Sequence, residues 1–475
     1  MVSREGRINP GEPKAMPTKA ILTGLLFFVL AAGPSHAQAQ QPQSLTDPAY
    51  KNGVLQKIAE LLESRYVLSD IAKGFADEFR TKCASGAYGS STEVKDFAVK
   101  VTADLIAITH DKHMNLRVIE SSDVGEKAVS PLHHPVRYAR LREKENTGLT
   151  RLEMVEPGIG VLELRRFYSF DQAKDMILAA MTFLAGANAI IIDVRENGGG
   201  SGDYLSSYFL PYPTQLCGLY TRRGNTLTET WTRRDIGTEP RTDVPVFIVT
   251  GPRTFSAAEY FAFDMQSRKR ATLVGEPTKG GAHDIDLFRI DDQFELSIST
   301  GRAVSPVTGG NWEGTGVIPD VPTAPAAAMD QALRLARKAA EMYGRVKEEK
   351  LRKAVGEMQA DLERTEKAFR EGRRDDANAS LDSLFRVARS AGVLTEFFID
   401  VFAYEYRSGE NEAMLFAIIT KATELFPRSP AAHLRLAGTA NDFGKKDLAL
   451  SYARKTLELD PENRIAARMI KDLQK

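Results

Sequence analysis

The stretch Val244-Pro-Val-Phe-Ile-Val-Thr250, followed by Gly251-Pro-Arg-Thr-Phe-Ser256-Ala-Ala-Glu259, constrains this chain more than any other. An apolar, β-branched run stops at a Gly-Pro turn. A serine then opens a helical pattern with Ala258, Phe261, Ala262 and Met265 on one face. Ser256 is therefore predicted at a helix N-terminus, where free backbone N–H groups and the helix dipole stabilise negative charge. Strand, sharp turn and serine make a nucleophile elbow, and the N–H of Ala257 would point toward a developing oxyanion. A serine that merely caps a helix fits the same short pattern, so this stretch alone does not decide for catalysis.

A second feature shifts that balance. Ile190-Ile-Ile-Asp193-Val-Arg195-Glu-Asn197-Gly-Gly-Gly200-Ser-Gly202 reads as a buried strand ending in a glycine-rich loop. No lysine follows in the pattern of a phosphate-binding loop. A second oxyanion donor, from Gly199 or its neighbours, is the better use, although a tight strand-to-helix connection would also want glycine. One such donor is worth about 3 kcal/mol of transition-state stabilisation.

With 475 residues the chain exceeds a single domain, and its 63 basic and 63 acidic residues balance. Nothing in that balance argues for nucleic acid or an anionic membrane surface as partner. Lys19, the apolar run from Ala20 to Gly33, and small residues before a polar spacer read as a secretory signal, with cleavage after Ala37 or Ala39 and Met16 as an alternative start. The run is short for a membrane span, so a retained anchor is the weaker expectation and no stable span is expected after cleavage. Cys83 and Cys217 fall in different expected units and are read as two free or buried thiols. No Cys/His cluster has zinc-site spacing, and no cofactor is expected.

Helical spacing at Val54, Ile58, Leu61 and Leu62, and again at Phe97, Val101, Leu105 and Ile108, predicts a small N-terminal helical bundle. The period then changes. Short β-rich runs at Gly160–Leu164, Ala189–Asp193, Val246–Val249, Ala271–Val274 and Phe294–Thr300 join helical stretches at Asp171–Ala185, Tyr204–Phe209 and Ala257–Arg268, which indicates an α/β core. A helix is expected over Ala326–Met342. Beyond Gly344 no strand signal remains, and turn glycines stand at Gly372, Gly409 and Gly444. Leu425-Phe-Pro427 and Leu459-Asp-Pro461 are thirty-four residues apart, the period of tetratricopeptide repeats; a generic helical tail is the alternative. The expected layout is a signal and extension over 1–39, a helical unit over 45–118, the core over 119–343 and repeats over 344–475.

Taken together, Gly160-Val-Leu-Glu-Leu164, Asp193-Val-Arg-Glu-Asn-Gly-Gly-Gly200, Thr254-Phe-Ser256-Ala-Ala-Glu259, Val274-Gly-Glu276 and Glu313-Gly-Thr-Gly-Val-Ile-Pro-Asp320 resemble the family of tail-specific (C-terminal processing) serine proteases, tricorn protease and interphotoreceptor retinoid-binding protein. Tyr66-Val67 and Asp111-Lys-His113 resemble the helical N-terminal part of the retinoid-binding-protein-like branch. The resemblance runs from about Val54 to Ala340. It implies a ClpP/crotonase-type α/β core and hydrolysis of peptide bonds by a serine. The lysine that assists the serine in tail-specific proteases corresponds to Gly281, and Lys279 is two residues off, so a Ser–Lys dyad is disfavoured. No PDZ-like segment fits between Arg117 and Gly160.

The tricorn-like version implies serine, histidine and glutamate. His113 takes the histidine position, and Glu313, beside Trp312, would orient the imidazole. His283 competes as base. His110 would share a helix face with His113 if helical spacing continued, and His133-His134 is expected in a surface loop. The reading is an exported serine peptidase, periplasmic or secreted in a bacterial envelope. Its catalytic residues are Ser256, His113 and Glu313, its oxyanion donors Ala257 and Gly199, its substrate a peptide or protein, and its repeat tail docks protein partners or substrate. The rival is a non-catalytic carrier of an apolar ligand, or an interaction scaffold, on the same fold.

Overall fold

The computed structural model describes residues 44–119, 133–202, 204–407 and 412–474. The expected signal segment lies outside the described residues, as does Gly409. Among the described residues no helix is long and apolar enough to cross a membrane.

Two sheets organise the described residues. The first has six strands in the order β11 (Val321–Pro322), β8 (Thr272–Gly275), β7 (Val246–Thr250), β4 (Ala189–Asp193), β3 (Ile159–Leu164) and β2 (Leu149–Glu156). β3, β4, β7, β8 and β11 pair in parallel, and only β2 is antiparallel to its neighbour. Every residue of β4 and β7 is buried, because both faces of this sheet are covered. On one face Ile190, Ile192 and Ile248 pack with Ile177, Phe261 and Met265 from the helices Phe170–Phe183 and Ala257–Ser267. On the other, Ile191, Phe247 and Val249 meet Ala328, Ala332, Ala336 and Ala340. These alanines recur every four residues, so a narrow stripe of methyl groups lets the helix lie close to the sheet.

That helix departs from expectation. It runs unbroken over Pro325–Arg370, through Gly344, and the boundary placed at 343/344 falls inside it. A single glycine inside a helix costs only about 1 kcal/mol, which the packed stripe upstream offsets. Among the described residues six further helices follow, from Arg374–Ser390 to Arg464–Leu473, with their own apolar core around Leu384, Ile399, Ile418 and Leu436. Gly372 and Gly444 take left-handed turns, at φ 73° and 71°.

The second sheet was not expected. It is antiparallel, in the order β1 (Asn115–Val118), β10 (Phe294–Val304), β5 (Gln215–Thr221), β6 (Thr226–Trp231), with β9 (His283–Arg289) also on β10. Of its strands, β10 matches the run expected over Phe294–Thr300; β6 is almost entirely exposed and β9 carries acids among its apolar residues, so neither presents an apolar run. The N-terminal helices Pro48–Arg65, Ser69–Ala84 and Val94–Thr109 do not close a bundle on themselves. Ile58, Leu62, Phe79, Phe97 and Leu105 share one core with Phe294, Leu296 and Ile298 of β10. His133 opens a helix, His133–Lys144, rather than standing in a loop. Both cysteines are free thiols, and Cys217 is buried.

Candidate active site

The elbow is built by clamping the turn after β7 onto the loop after β4. The Thr254 hydroxyl donates to the Val194 carbonyl at 2.8 Å and accepts the Gly251 N–H at 3.0 Å, and the Phe255 N–H donates to the Asn197 carbonyl at 3.0 Å. Ser256 is thereby held at φ 54°, ψ −119°, directly before the helix Ala257–Ser267. An L-residue pays steric strain there of about 1–3 kcal/mol. Glu259 supports the conformation from below. One of its oxygens accepts the N–H groups of Ser256 and Gly281, both at 2.8 Å, and the other accepts from Gly280 at 2.6 Å and Thr278 Oγ1 at 2.5 Å. Burial raises the Glu259 carboxyl above its ordinary value, against the pull of those four donors. A glutamate three residues after a helix-capping serine is a sequence-visible device, so its place under the nucleophile was legible in principle.

Ala257 supplies the first helical N–H, which has no acceptor within its own helix. Gly199, at φ 97°, approaches so closely that a Cβ there would lie 2.7 Å from Ser256 Cβ and 3.2 Å from the Ala257 nitrogen. The Gly199 N–H itself donates to Asn197 Oδ1 at 2.9 Å, so in this arrangement it is already engaged. Gly200, the next residue, lines the cavity into which Ser256 opens. The cavity holds about 310 Å³, and its walls include Ser256, Ala257, Tyr260, His283 and Trp312. Trp312 is fixed by its indole N–H on the Gly281 carbonyl at 3.0 Å.

The imidazoles approach from the other half of the molecule. The helix Val94–Thr109 ends at His110, whose left-handed φ of 56° stops the helical spacing, so His110 and His113 do not share a helix face. The buried turn that follows carries Asp111 and His113. The His113 ring packs at a 31° tilt on Phe255, the neighbour of Ser256, with centroids 4.4 Å apart, and both its nitrogens are buried without a hydrogen-bond partner. Burial pushes the His113 imidazole down to about 4, opposed by the Asp111 charge and reinforced by His283 and Lys279. It is a neutral ring at neutral pH.

Glu313 does not stand where the resemblance implies. Its Oε2 lies 3.8 Å from His283 Nδ1 and accepts the N–H groups of Ala282 at 2.6 Å and His283 at 3.1 Å. The carboxylate beside His113 is Asp111, with Oδ1 3.7 Å from His113 Nδ1. The other Asp111 oxygen is 2.7 Å from His283 Nδ1. Burial alone would lower the His283 imidazole, but its hydrogen bond to Asp111 and the nearby carboxylates carry it above its ordinary value. Burial raises Glu313 to about 7. Asp111, His283 and Glu313 place one nitrogen and two carboxylates within 4.8 Å of one another. The 2.7 Å contact is a hydrogen bond, shorter than the roughly 3.3 Å between two ligands on one zinc ion, so the trio reads as a proton-sharing group.

Gly281, which takes the lysine position of the resemblance, has no room for a side chain. A Cβ there would overlap the Phe255 ring and sit 2.6 Å from His113 Cε1. Lys279 is turned onto the Phe255 ring instead, its Nζ 4.4 Å from the centroid. The histidine thus fills the space where the dyad lysine would have to enter.

Residues 158–323 match the model of peptidase family S41, and residues 49–150 match the N-terminal domain of peptidase S41 in eukaryotic IRBP. A carboxyl-terminal-processing protease of Synechocystis is 32% identical over 124 residues, 26% of this chain and 28% of that protein. A chloroplastic carboxyl-terminal-processing peptidase 1 of Arabidopsis thaliana is 26% identical over 202 residues, 40% of each chain. The chain therefore spans well under half the length of these relatives. A photosystem II D1 C-terminal processing protease of known structure superposes with a TM-score of 0.37 at 15% identity, over 57% of this chain and 93% of that one. The ordered motifs around Ser256, together with these two matches, establish that the chain belongs to peptidase family S41, whose carboxyl-terminal processing members are serine peptidases.

Proposed function

We propose that this protein is an exported serine peptidase that hydrolyses peptide bonds through an acyl-enzyme on Ser256. The observation that carries the reading is the strained φ 54°, ψ −119° of Ser256 at a helix N-terminus, opening on a cavity it shares with His283. A serine kept only as a helix cap has no need of that backbone. In acylation, Oγ adds to the peptide carbonyl while its proton passes to an imidazole. The Ala257 N–H, with Gly199 or Gly200 beside it, faces the oxyanion. The imidazolium then protonates the leaving amine as the C–N bond breaks, and water repeats the sequence to free the acid.

His113 is the proposed base, being neutral and unpartnered against Phe255. Glu313 is the outer carboxylate, reaching His113 only by way of His283 and Asp111. His283 has one observation in its own favour: it lines the Ser256 cavity with Nδ1 already on a carboxylate. A fluorophosphonate probe tests both levels. Labelling of the wild type and none of Ser256→Ala supports the nucleophile. Loss in His113→Ala with most labelling kept in His283→Ala supports His113, and the reverse pattern transfers the role. A chain inert to the probe that binds an apolar fluorophore tightly instead would be the carrier.

The succession of parallel strands and helices supports a ClpP/crotonase-type core, and the thirty-four-residue spacing of Pro427 and Pro461 supports tetratricopeptide-like docking by the tail. The Lys19–Ala39 pattern supports export to the periplasm or beyond. Truncating the tail should then slow processing of a protein substrate more than cleavage of a short ester. Equal loss in both removes the docking role.

A further inference from the structure

The carboxylate nearest the His113 ring is Asp111, a residue with no role legible in the sequence. Asp111 is 1% exposed, and its two oxygens divide between the histidines. Oδ1 accepts the His113 backbone N–H at 2.9 Å, which fixes the turn, and stands 3.7 Å from the His113 ring nitrogen. Oδ2 meets His283 Nδ1 at 2.7 Å and accepts the Tyr66 hydroxyl at 3.2 Å. Glu313 lies 3.8 Å from the Nδ1 of His283, the same nitrogen that Asp111 engages at 2.7 Å.

The geometry points to Asp111 as the positioning residue of the proton-transfer machinery, bonded to the His283 ring and to the His113 backbone, facing the His113 ring from 3.7 Å, and stabilising whichever imidazole becomes charged, with Tyr66 donating to the carboxylate. The inference rests on the peptidase reading for its purpose, but not on which histidine is the base. Its physical content is that a buried carboxylate beside an imidazole sets the ring's orientation and stabilises the imidazolium formed in the transition state. Burial raises Asp111, and its partners, His283 foremost, overcome that and hold it ionised below the usual carboxylate value. The remaining charged groups facing the pair of rings are Lys279 toward His113, and Arg302 and Glu313 toward His283.

Full-length wild type, Asp111→Asn and Glu313→Gln decide the matter, with two readouts. The first is the rate of fluorophosphonate labelling together with kcat and KM on a short peptide. The second is the NMR titration of the two rings. Asp111→Asn is expected to slow labelling and kcat at least a hundredfold with KM changed less than threefold, and to lower both ring titrations. Glu313→Gln is expected to lose at least tenfold less and to lower the His283 titration more than that of His113. Glu313→Gln losing as much as Asp111→Asn, or an unmoved His113 titration in Asp111→Asn, overturns the assignment. A wild type inert to the probe overturns the peptidase reading instead, and the titrations then judge Asp111 on their own. Should Asp111→Asn fail to fold, Tyr66→Phe removes one donor to the same carboxylate. It is expected to raise the His283 titration and slow labelling severalfold, and no change in either overturns the assignment.

Discussion

The two halves of the candidate site are assembled in opposite ways. The nucleophile side is carried by one continuous stretch, β7, a turn, Ser256 and the helix behind it, with Glu259 locking the serine from three residues away and the loop after β4 as its one distant clamp. The proton-handling side is gathered from three distant places: the turn holding Asp111 and His113, the first residue of β9, and the loop carrying Glu313. The first obeys local rules of strand, turn and helix cap. The second depends on an antiparallel sheet and N-terminal helices sharing a core around Phe97 and Phe294. One half should therefore answer to single, local changes, and the other to changes anywhere along its chain of contacts.

The largest effect tests the local half. Ser256→Ala should lower peptidase activity by about 10⁴-fold or more and abolish fluorophosphonate labelling, with the fold intact. Residual labelling at another serine would move the nucleophile off the elbow. Next comes the seam between the halves. Gly281→Ala should cost at least a hundredfold in kcat, since the new methyl must displace the Phe255 ring and His113 Cε1, only 2.6 Å away. Overpacking of this kind also costs about 1–3 kcal/mol of stability, readable as a lower urea midpoint. Activity within threefold of wild type would show that His113 does not need its present seat.

A pH profile separates the imidazoles. If His113 is the base, the acid limb of kcat/KM falls near pH 4, where burial has placed its titration, and activity is level through neutrality. If His283 is the base, the limb lies above the ordinary imidazole range, because Asp111 and Glu313 favour its charged form. Stability follows the same groups with opposite signs. The unfolded chain binds a proton at position 113 between about pH 4 and the ordinary imidazole value of 6.5, where the folded chain does not, so stability rises with pH across that window. Glu313 is the reverse: between 4.5 and about 7 the folded chain holds a proton that the unfolded chain releases, so its contribution is present at low pH and is lost as pH rises through 7. Urea midpoints of Glu313→Gln against wild type should therefore diverge in favour of the variant as pH climbs from 5 to 8.

The same contrast explains what could be read in advance. Strands β3, β4, β7 and β8, the helix after Ser256 and the succession of N-terminal helices were legible because burial on both faces, or on one helical stripe, leaves a periodic apolar record, whereas the mostly unburied β2 and the two-residue β11 left none. β6 and β9 left none, so the second sheet went unseen, and with it the surface that brings His283 to Asp111. Glu313 was legible as a motif, but its partner was not. Motif order carries no distance, and 3.8 Å to His283 instead of a bond to His113 is a fact of packing. The unbroken helix through Gly344 was hidden for a related reason. The alanine stripe that stabilises it reads as ordinary composition until the sheet is present to receive it.

The smallest effect is the cleanest measure of the local half. If the elbow imposes strain on residue 256, a glycine there should relieve it, and an alanine, which has a Cβ but no hydroxyl, should not. Both variants lack the nucleophile and both lose the serine cap, so their difference isolates the backbone. Left-handed backbone costs an L-residue about 1–2 kcal/mol over glycine, and glycine's greater unfolded-state entropy returns about 0.5–1 kcal/mol of that. At the midpoints of those ranges Ser256→Gly should therefore exceed Ser256→Ala in unfolding free energy by roughly 0.75 kcal/mol, at equal m-value in urea. Equal stability, or alanine the more stable, would mean that φ 54° is not held against resistance, and that nothing in the turn singles out this serine from a helix cap.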